Sequence, residues 1–264
     1  EGSNTLTRSL IIFGQGLNRS HPHLLNIINN IETNDKEGFN NNFNKIVKHT
    51  LNNLVKSIYY GTYLKFYRKN GVDIDKYYEI HLNRHVANFA FSANIALLMG
   101  GKIKTAEYIS GRYADILADI YMSYACLWFY KKNKTTKDID KLLEYSINDY
   151  SKNIEINMNK IFDNFPIYFM GKIMKYTTYP FGNYYNYNCD KMNTQISNII
   201  TKPNELRNLL TENLFISKDV NNRLNQISRG IQLFDENKKY DPENISLINE
   251  ITQLVIKVDE TEKL

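Results

Sequence analysis

The sequence is poor in residues that cross-link or interrupt a chain. Its 264 residues hold two cysteines, Cys126 and Cys189. They lie far apart, which gives neither a disulfide framework nor a zinc-ligand spacing, so a reducing cytoplasm is the default compartment. Only five prolines are present, and helical periodicity dominates. Long apolar runs are missing too. The longest weakly polar stretch, Val86 to Met99, is interrupted by Asn88 and Asn94 and is too short and too polar to span a bilayer, in keeping with a mean hydropathy of -0.47. Glu1 to Arg8 is polar and no small-residue cleavage site follows, so no signal peptide is expected. The first residue, Glu1, reads as that of a fragment or of a processed or trimmed chain. The net charge of +5 comes from lysines scattered among asparagines and carboxylates. With no compact basic stripe and no glycine–aromatic motif, nucleic-acid binding is not expected.

What remains is pattern at helical spacing. Leu6, Leu10 and Phe13 predict a helix over 4–17. Ser20 and Pro22 read as the cap and early proline of a second. A third is expected over 38–67, broken by Asn70-Gly71, and a fourth over 74–99, ended by Gly100-Gly101. The fifth, over 102–132, carries the stripe Ile109, Tyr113, Ile116, Ile120, Tyr124 and Leu127. Asp138 is placed to cap a sixth, to about 164. Shorter helices follow over 167–175, 190–200, 204–211, 220–236 and 242–258, with an aromatic loop over 176–188. Alternating strand patterns are lacking, so the fold class is all-α: long antiparallel helices and then a looser helical tail.

Several clusters invite a chemical reading. His81 and His85 are four apart, a spacing at which one helix face can present two imidazoles to a metal. Arg84 lies between them and no carboxylate does, which favours packing or surface histidines, and no metal site is assigned. Asp115 and Asp119 suggest paired carboxylates, but Arg112 one turn before Asp115 makes a helix-surface ion pair the simpler account. The aromatic loop reads as pinned onto the bundle by its rings. Ile167-Tyr168-Phe169-Met170 with Lys172 and Lys175 keeps a membrane-surface contact open.

Glu1-Gly2-Ser3-Asn4-Thr5-Leu6-Thr7-Arg8 resembles the Glu-Gly-Thr/Ser/Ala segment near the end of the acyl-CoA dehydrogenase catalytic domain. Ile12-Phe13-Gly14-Gln15-Gly16 and His21-Pro22 look like the bacterial long-chain type with a C-terminal extension. The likeness continues through His81-Leu82-Asn83-Arg84, Arg112 with Asp115-Ile116-Leu117, Asn164-Phe165-Pro166, Pro180 with Gly182, Asp190-Lys191, and Pro203-Asn204 with Arg207. This resemblance implies residues 1–24 as the end of the catalytic domain's helical bundle and 25–264 as a second, helical extension domain. Most of the flavin-binding part would then lie before residue 1. It implies Glu1 as the base that takes the α proton of a fatty acyl-CoA, a job for a desolvated carboxylate. Gly2 would lie against substrate, and Ser3 and Thr5 against FAD, although Thr5 replaces a commoner glutamine. The β hydride goes to the flavin, and the product is a trans-2-enoyl thioester.

The partners implied are fatty acyl-CoA, an electron-transfer flavoprotein and further copies of the chain in a homo-oligomer. The implied setting is the cytoplasm, with peripheral contact at the inner face of the membrane. The alternative is non-catalytic: a helical remnant, or the assembly module of a split or degraded dehydrogenase.

Overall fold

The computed structural model describes residues 7–8, 11, 15–67, 69, 71–185, 190–215, 222–236, 249–250, 252–253 and 256. Among them no strand occurs, and the regular elements are α1 (Gly16–Ser20), α2 (Leu24–Glu32), α3 (Lys36–Phe66), α4 (Ile74–Ala96), a 3-10 segment (Leu97–Lys104), α5 (Glu107–Lys132), α6 (Ile139–Asp163), α7 (Tyr168–Thr178), α8 (Asp190–Ile200), α9 (Glu205–Thr211) and α10 (Arg223–Glu236). The expected all-α class is what the chain adopts.

Where boundaries move, local hydrogen bonding explains the move. Ser20 does not open α2. His23 is its N-cap, and His21 Nδ1 accepts from the amides of His23 at 3.2 Å and Leu24 at 3.1 Å. His21 Nε2 in turn meets Asn94 Oδ1 at 3.0 Å. α3 starts two residues before the expected Gly38, because Asp35 is its N-cap and accepts from the Gly38 amide at 2.9 Å. α4 tightens at Ala96 into the 3-10 segment, which kinks at Gly100 (φ 54), so α5 begins at Glu107 rather than Lys102. Asp138 precedes α6 as expected, but its carboxylate pairs with Lys141 Nζ at 2.7 Å, and its carbonyl takes the amides of Lys141 and Leu142. α7 runs three residues past the expected end, to Thr178.

The chain divides into two compact units. The first comprises Glu1–Asn133 and Leu143–Tyr187. Its core joins Phe91, Ala93 and Ala96 of α4, the α5 stripe from Ile109 to Ile120, Ile154, Met158, Ile161 and Phe162 of α6, and Met174 of α7. The α5 stripe is buried as its period demands, with Tyr124 packed at the edge and its hydroxyl bonded to Asn83 Oδ1 at 2.9 Å. Tyr113 is fully buried, and its hydroxyl donates to the Ser92 carbonyl at 3.0 Å, which satisfies its one polar group. On the outer side of α5, Trp128 is 59% exposed and carries Lys132 Nζ 4.0 Å above its ring.

The second unit comprises Lys134–Leu142 and Asn188–Leu264. There Asn204 caps α9, accepting from the Arg207 amide at 2.8 Å, and the Arg207 guanidinium donates to the Thr201 carbonyl at 2.9 Å. Ile196 of α8 and Leu206 of α9 are buried.

By length and composition alone, Ile74–Ile103 is the one stretch among the described residues that could cross a membrane. It is also the central core helix, burying Tyr78, Leu82, Phe91, Ala93 and Ala96.

Candidate functional site

The most concentrated chemistry among the described residues lies inside the first unit. α4 places His81, Arg84, His85 and Asn88 at spacings of three and four, so all four share one face, and that face is buried. α6 brings Glu155 to it. Arg84 Nη1 meets Glu155 Oε1 at 3.4 Å, with both side chains at most 3% exposed. The other carboxylate oxygen, Oε2, accepts from the backbone amides of Tyr184 at 2.9 Å and Tyr185 at 3.0 Å. Arg84 Nη2 donates to the Thr178 carbonyl at 3.3 Å, and the guanidinium lies 5.1 Å from the centre of the Tyr179 ring and 5.9 Å from that of Tyr184. One ion pair therefore fastens the end of α7 and the aromatic loop behind it to two helices. Pro180 completes the seat, its Cδ coming within 3.1 Å of where a Cβ on Gly61 would stand.

Burial sets the protonation states here. It raises the Glu155 carboxyl above its ordinary range, against the pull of Arg84 and the two amides. It lowers His81 to about 3, helped by the charge of Arg84. His85, more deeply buried, is also pushed well down. Both imidazoles are neutral at physiological pH. His81 Nδ1 meets the Tyr185 hydroxyl at 2.8 Å, while His81 Nε2, both ring nitrogens of His85 and Arg84 Nε find no hydrogen-bond partner among the described residues. Neither histidine is a surface residue: both are packing residues beside a buried charge. Groups of three His, Cys, Asp or Glu arranged to hold a metal are not found among the described residues.

Glu1, Gly2, Ser3 and Thr5 lie outside the described residues, as do Ile12-Phe13-Gly14, Cys189 and most of the expected helix over 242–258. Arg112 does not pair with Asp115. It donates to the Lys160 carbonyl at 3.2 Å, and Asp115 faces Arg8 Nε at 3.6 Å. The loop is pinned by its rings, with Tyr179 and Tyr185 buried. Tyr168, Phe169 and Tyr176 of α7 stay exposed. An open cleft of about 480 Å³ lies at the start of α5, lined by Glu107, Tyr108, Arg112 and Asn164 among others. Glu155 was missed by the pattern reading. Its signal was position: it falls in the row of Ile147, Ser151, Ile154, Met158 and Ile161, where a solvated charge does not belong.

Asp119 is the other perturbed acid. Burial, then the neighbouring carboxylates Asp115 and Asp149, raise it to about 6. A carboxyl raised on folding holds its proton more tightly in the native state. Its stabilising contribution is full below its ordinary pKa of 3.8 and is lost as pH rises through about 6. Asp119→Asn should therefore match the parent in acid and exceed it above neutrality, by roughly 1 kcal/mol once solvent screening is allowed for. Urea midpoints at the two pH extremes measure this, and a gain that persists in acid would refute it.

The profile of a protein family described as acyl-CoA dehydrogenase, C-terminal, bacterial type, matches residues 18–257. No solved structure matches the chain.

Proposed function

Because the chain belongs to the bacterial-type acyl-CoA dehydrogenase C-terminal family, we infer that its residues 25–264 are a non-catalytic helical module of such an enzyme, serving its assembly rather than its reaction centre. The family match over residues 18–257 carries this reading. The described residues do not fit FAD. The cleft of about 480 Å³ is open, with Glu107 among its lining residues, whereas a dinucleotide asks for an enclosing, largely pre-formed pocket. The Arg84–Glu155 pair is closed to solvent and fastens backbone. No step through the flavin is assigned to these residues.

The enzyme it serves converts fatty acyl-CoA to trans-2-enoyl-CoA in β-oxidation with FAD and passes electrons to an electron-transfer flavoprotein. Residues 1–24 form the end of its catalytic domain and 25–264 the extension. Within it Glu1 is the α-proton base, Gly2 lies beside substrate, and Ser3 and Thr5 touch FAD. Its setting is the cytoplasm, with the exposed rings of α7 available to the inner membrane face. On this reading the purified chain binds no flavin when titrated with FAD and leaves a saturated acyl-CoA unchanged. A stoichiometric yellow complex that bleaches on adding acyl-CoA would return the chain to the catalytic reading.

A further inference from the structure

Three histidines meet where the chain enters α2. The rings of His21, His23 and His49 stand edge to face, with centres 5.4 to 6.2 Å apart. His21 is buried. Its Nδ1 accepts from the amides of His23 and Leu24, donors that the start of a helix leaves without partners. That nitrogen is therefore bare. The ring's proton sits on Nε2, which donates to Asn94 Oδ1 of α4 at 3.0 Å. The Asn94 amide carries the order onward. Its Nδ2 donates to His49 Nδ1 of α3 at 3.1 Å, and Asn53 Nδ2 lies 3.3 and 3.2 Å from the two nitrogens of the same ring.

Each atom in this chain of bonds has one role. A second proton on His21 would sit on Nδ1 and face two N–H groups. A second proton on His49 would face the Asn94 amide nitrogen. Turning the Asn94 side chain over gives no escape. It would offer a donor to His21 Nε2 and force that ring's proton onto Nδ1, against the backbone again. The network exists only with both rings neutral.

The surroundings act in the same direction. Burial lowers both rings from their ordinary 6.5, in His21 against the bond to Asn94, and the charges of His23, His49 and Lys56 add to the lowering. α4 brings no charge, since none lies between His85 and Lys102. α1 carries Arg19, α3 also Lys45 and Lys48, and the one acid of α2, Glu32, stands at its far end.

We propose that His21, Asn94 and His49 form a latch that holds the entry of α2 onto α3 and α4 and opens in acid. The latch stands on this geometry alone; that it clasps the junction between residues 24 and 25 of an enzyme rests on the reading above. Its test follows amide exchange and ring protons rather than flavin, so either can fail without the other.

A histidine whose folded pKa is depressed leaves the closed form whole above 6.5 and weakens it as pH falls below that value. Hydrogen exchange of the α2 amides in the full chain, corrected for its intrinsic pH dependence, should be level at neutral pH and above. Below 6.5 it should gain up to about tenfold per pH unit for each ring that titrates. Core amides of α5 should stay protected, which separates the latch from global loss through His81 and His85. His49→Gln keeps an acceptor for Asn94 and takes away one titration, so α2 should stay docked and the acid slope should shrink. A substitution at His21 removes the seat along with the proton, so that ring is read in the parent. Its nitrogen-15 signals should show the neutral ring protonated on Nε2 and titrating below 6.5. Amides of α2 and α5 that open together, an acid slope unchanged by His49→Gln, or a neutral His21 protonated on Nδ1 would each overturn the proposal.

Discussion

Glu155→Gln should cost the first unit about 3–5 kcal/mol, the usual penalty for leaving one partner of a buried ion pair uncompensated. The amide keeps the shape and can still accept hydrogen bonds from Tyr184 and Tyr185, so the loss comes from charge. Arg84 stays 3% exposed, and a guanidinium cannot escape by giving up its proton. Urea unfolding followed by far-ultraviolet circular dichroism measures the loss.

A double variant separates holding the loop from holding the fold. Arg84→Met with Glu155→Leu removes both charges and should recover most of the global stability, because apolar replacement of a buried pair is often close to neutral. It cannot restore an acceptor for the Tyr184 and Tyr185 amides, which now bond to Glu155 Oε2 at 2.9 and 3.0 Å. Those two amides should then exchange with solvent while core amides of α5 remain protected. If the double variant protects them as the parent does, the pair is not what fastens the loop.

Gly171→Ala should destabilise by about 3 kcal/mol, the upper part of the range for overpacking. Helix propensity alone points the other way, since alanine in a helix gains close to 1 kcal/mol over glycine. The structure decides the sign. A Cβ on Gly171 would run into the Phe162 carbonyl oxygen and come within 3.2 Å of Phe165 Cβ. Backbone at the end of α6 cannot yield as a side-chain tip can. Gly61→Ala is the control: its nearest neighbour is the ring of Pro180 at 3.1 Å, a contact that a shift of a few tenths of an ångström relieves, so the loss should be smaller. Thermal midpoints of the two variants rank them, and a Gly171→Ala protein as stable as its parent would remove this close approach as a constraint.

These two positions also mark where sequence reading stops. The α5 stripe was legible because period and burial are one relation: residues three and four apart share a face whatever the rest of the chain does. Asn204 before α9 was legible as a boundary for a similar reason, since a cap is a bond between neighbours. His21 was not, because an imidazole is outside the usual capping set and takes the part only with Asn94 to receive its other nitrogen. Arg112 was assigned the partner one turn away, whereas it bonds to a carbonyl 48 residues on. The Arg84–Glu155 clamp joins residues 71 apart and two loop amides, and no local rule brings them together. Gly171 looked like any helical glycine until α6 was laid against it. The residues of the proposed chemistry, Glu1, Gly2, Ser3 and Thr5, rest on resemblance.

The placement of Trp128 decides what the chain's own fluorescence can report. It is the single tryptophan, it stands 59% exposed, and a lysine ammonium lies over its ring. Its indole is already in contact with water in the native state, so its emission has little distance left to shift when the protein unfolds. The spectrum will follow the outer side of α5 and anything that docks there. Loss of the core is better followed through the buried tyrosines, whose near-ultraviolet dichroism depends on fixed packing.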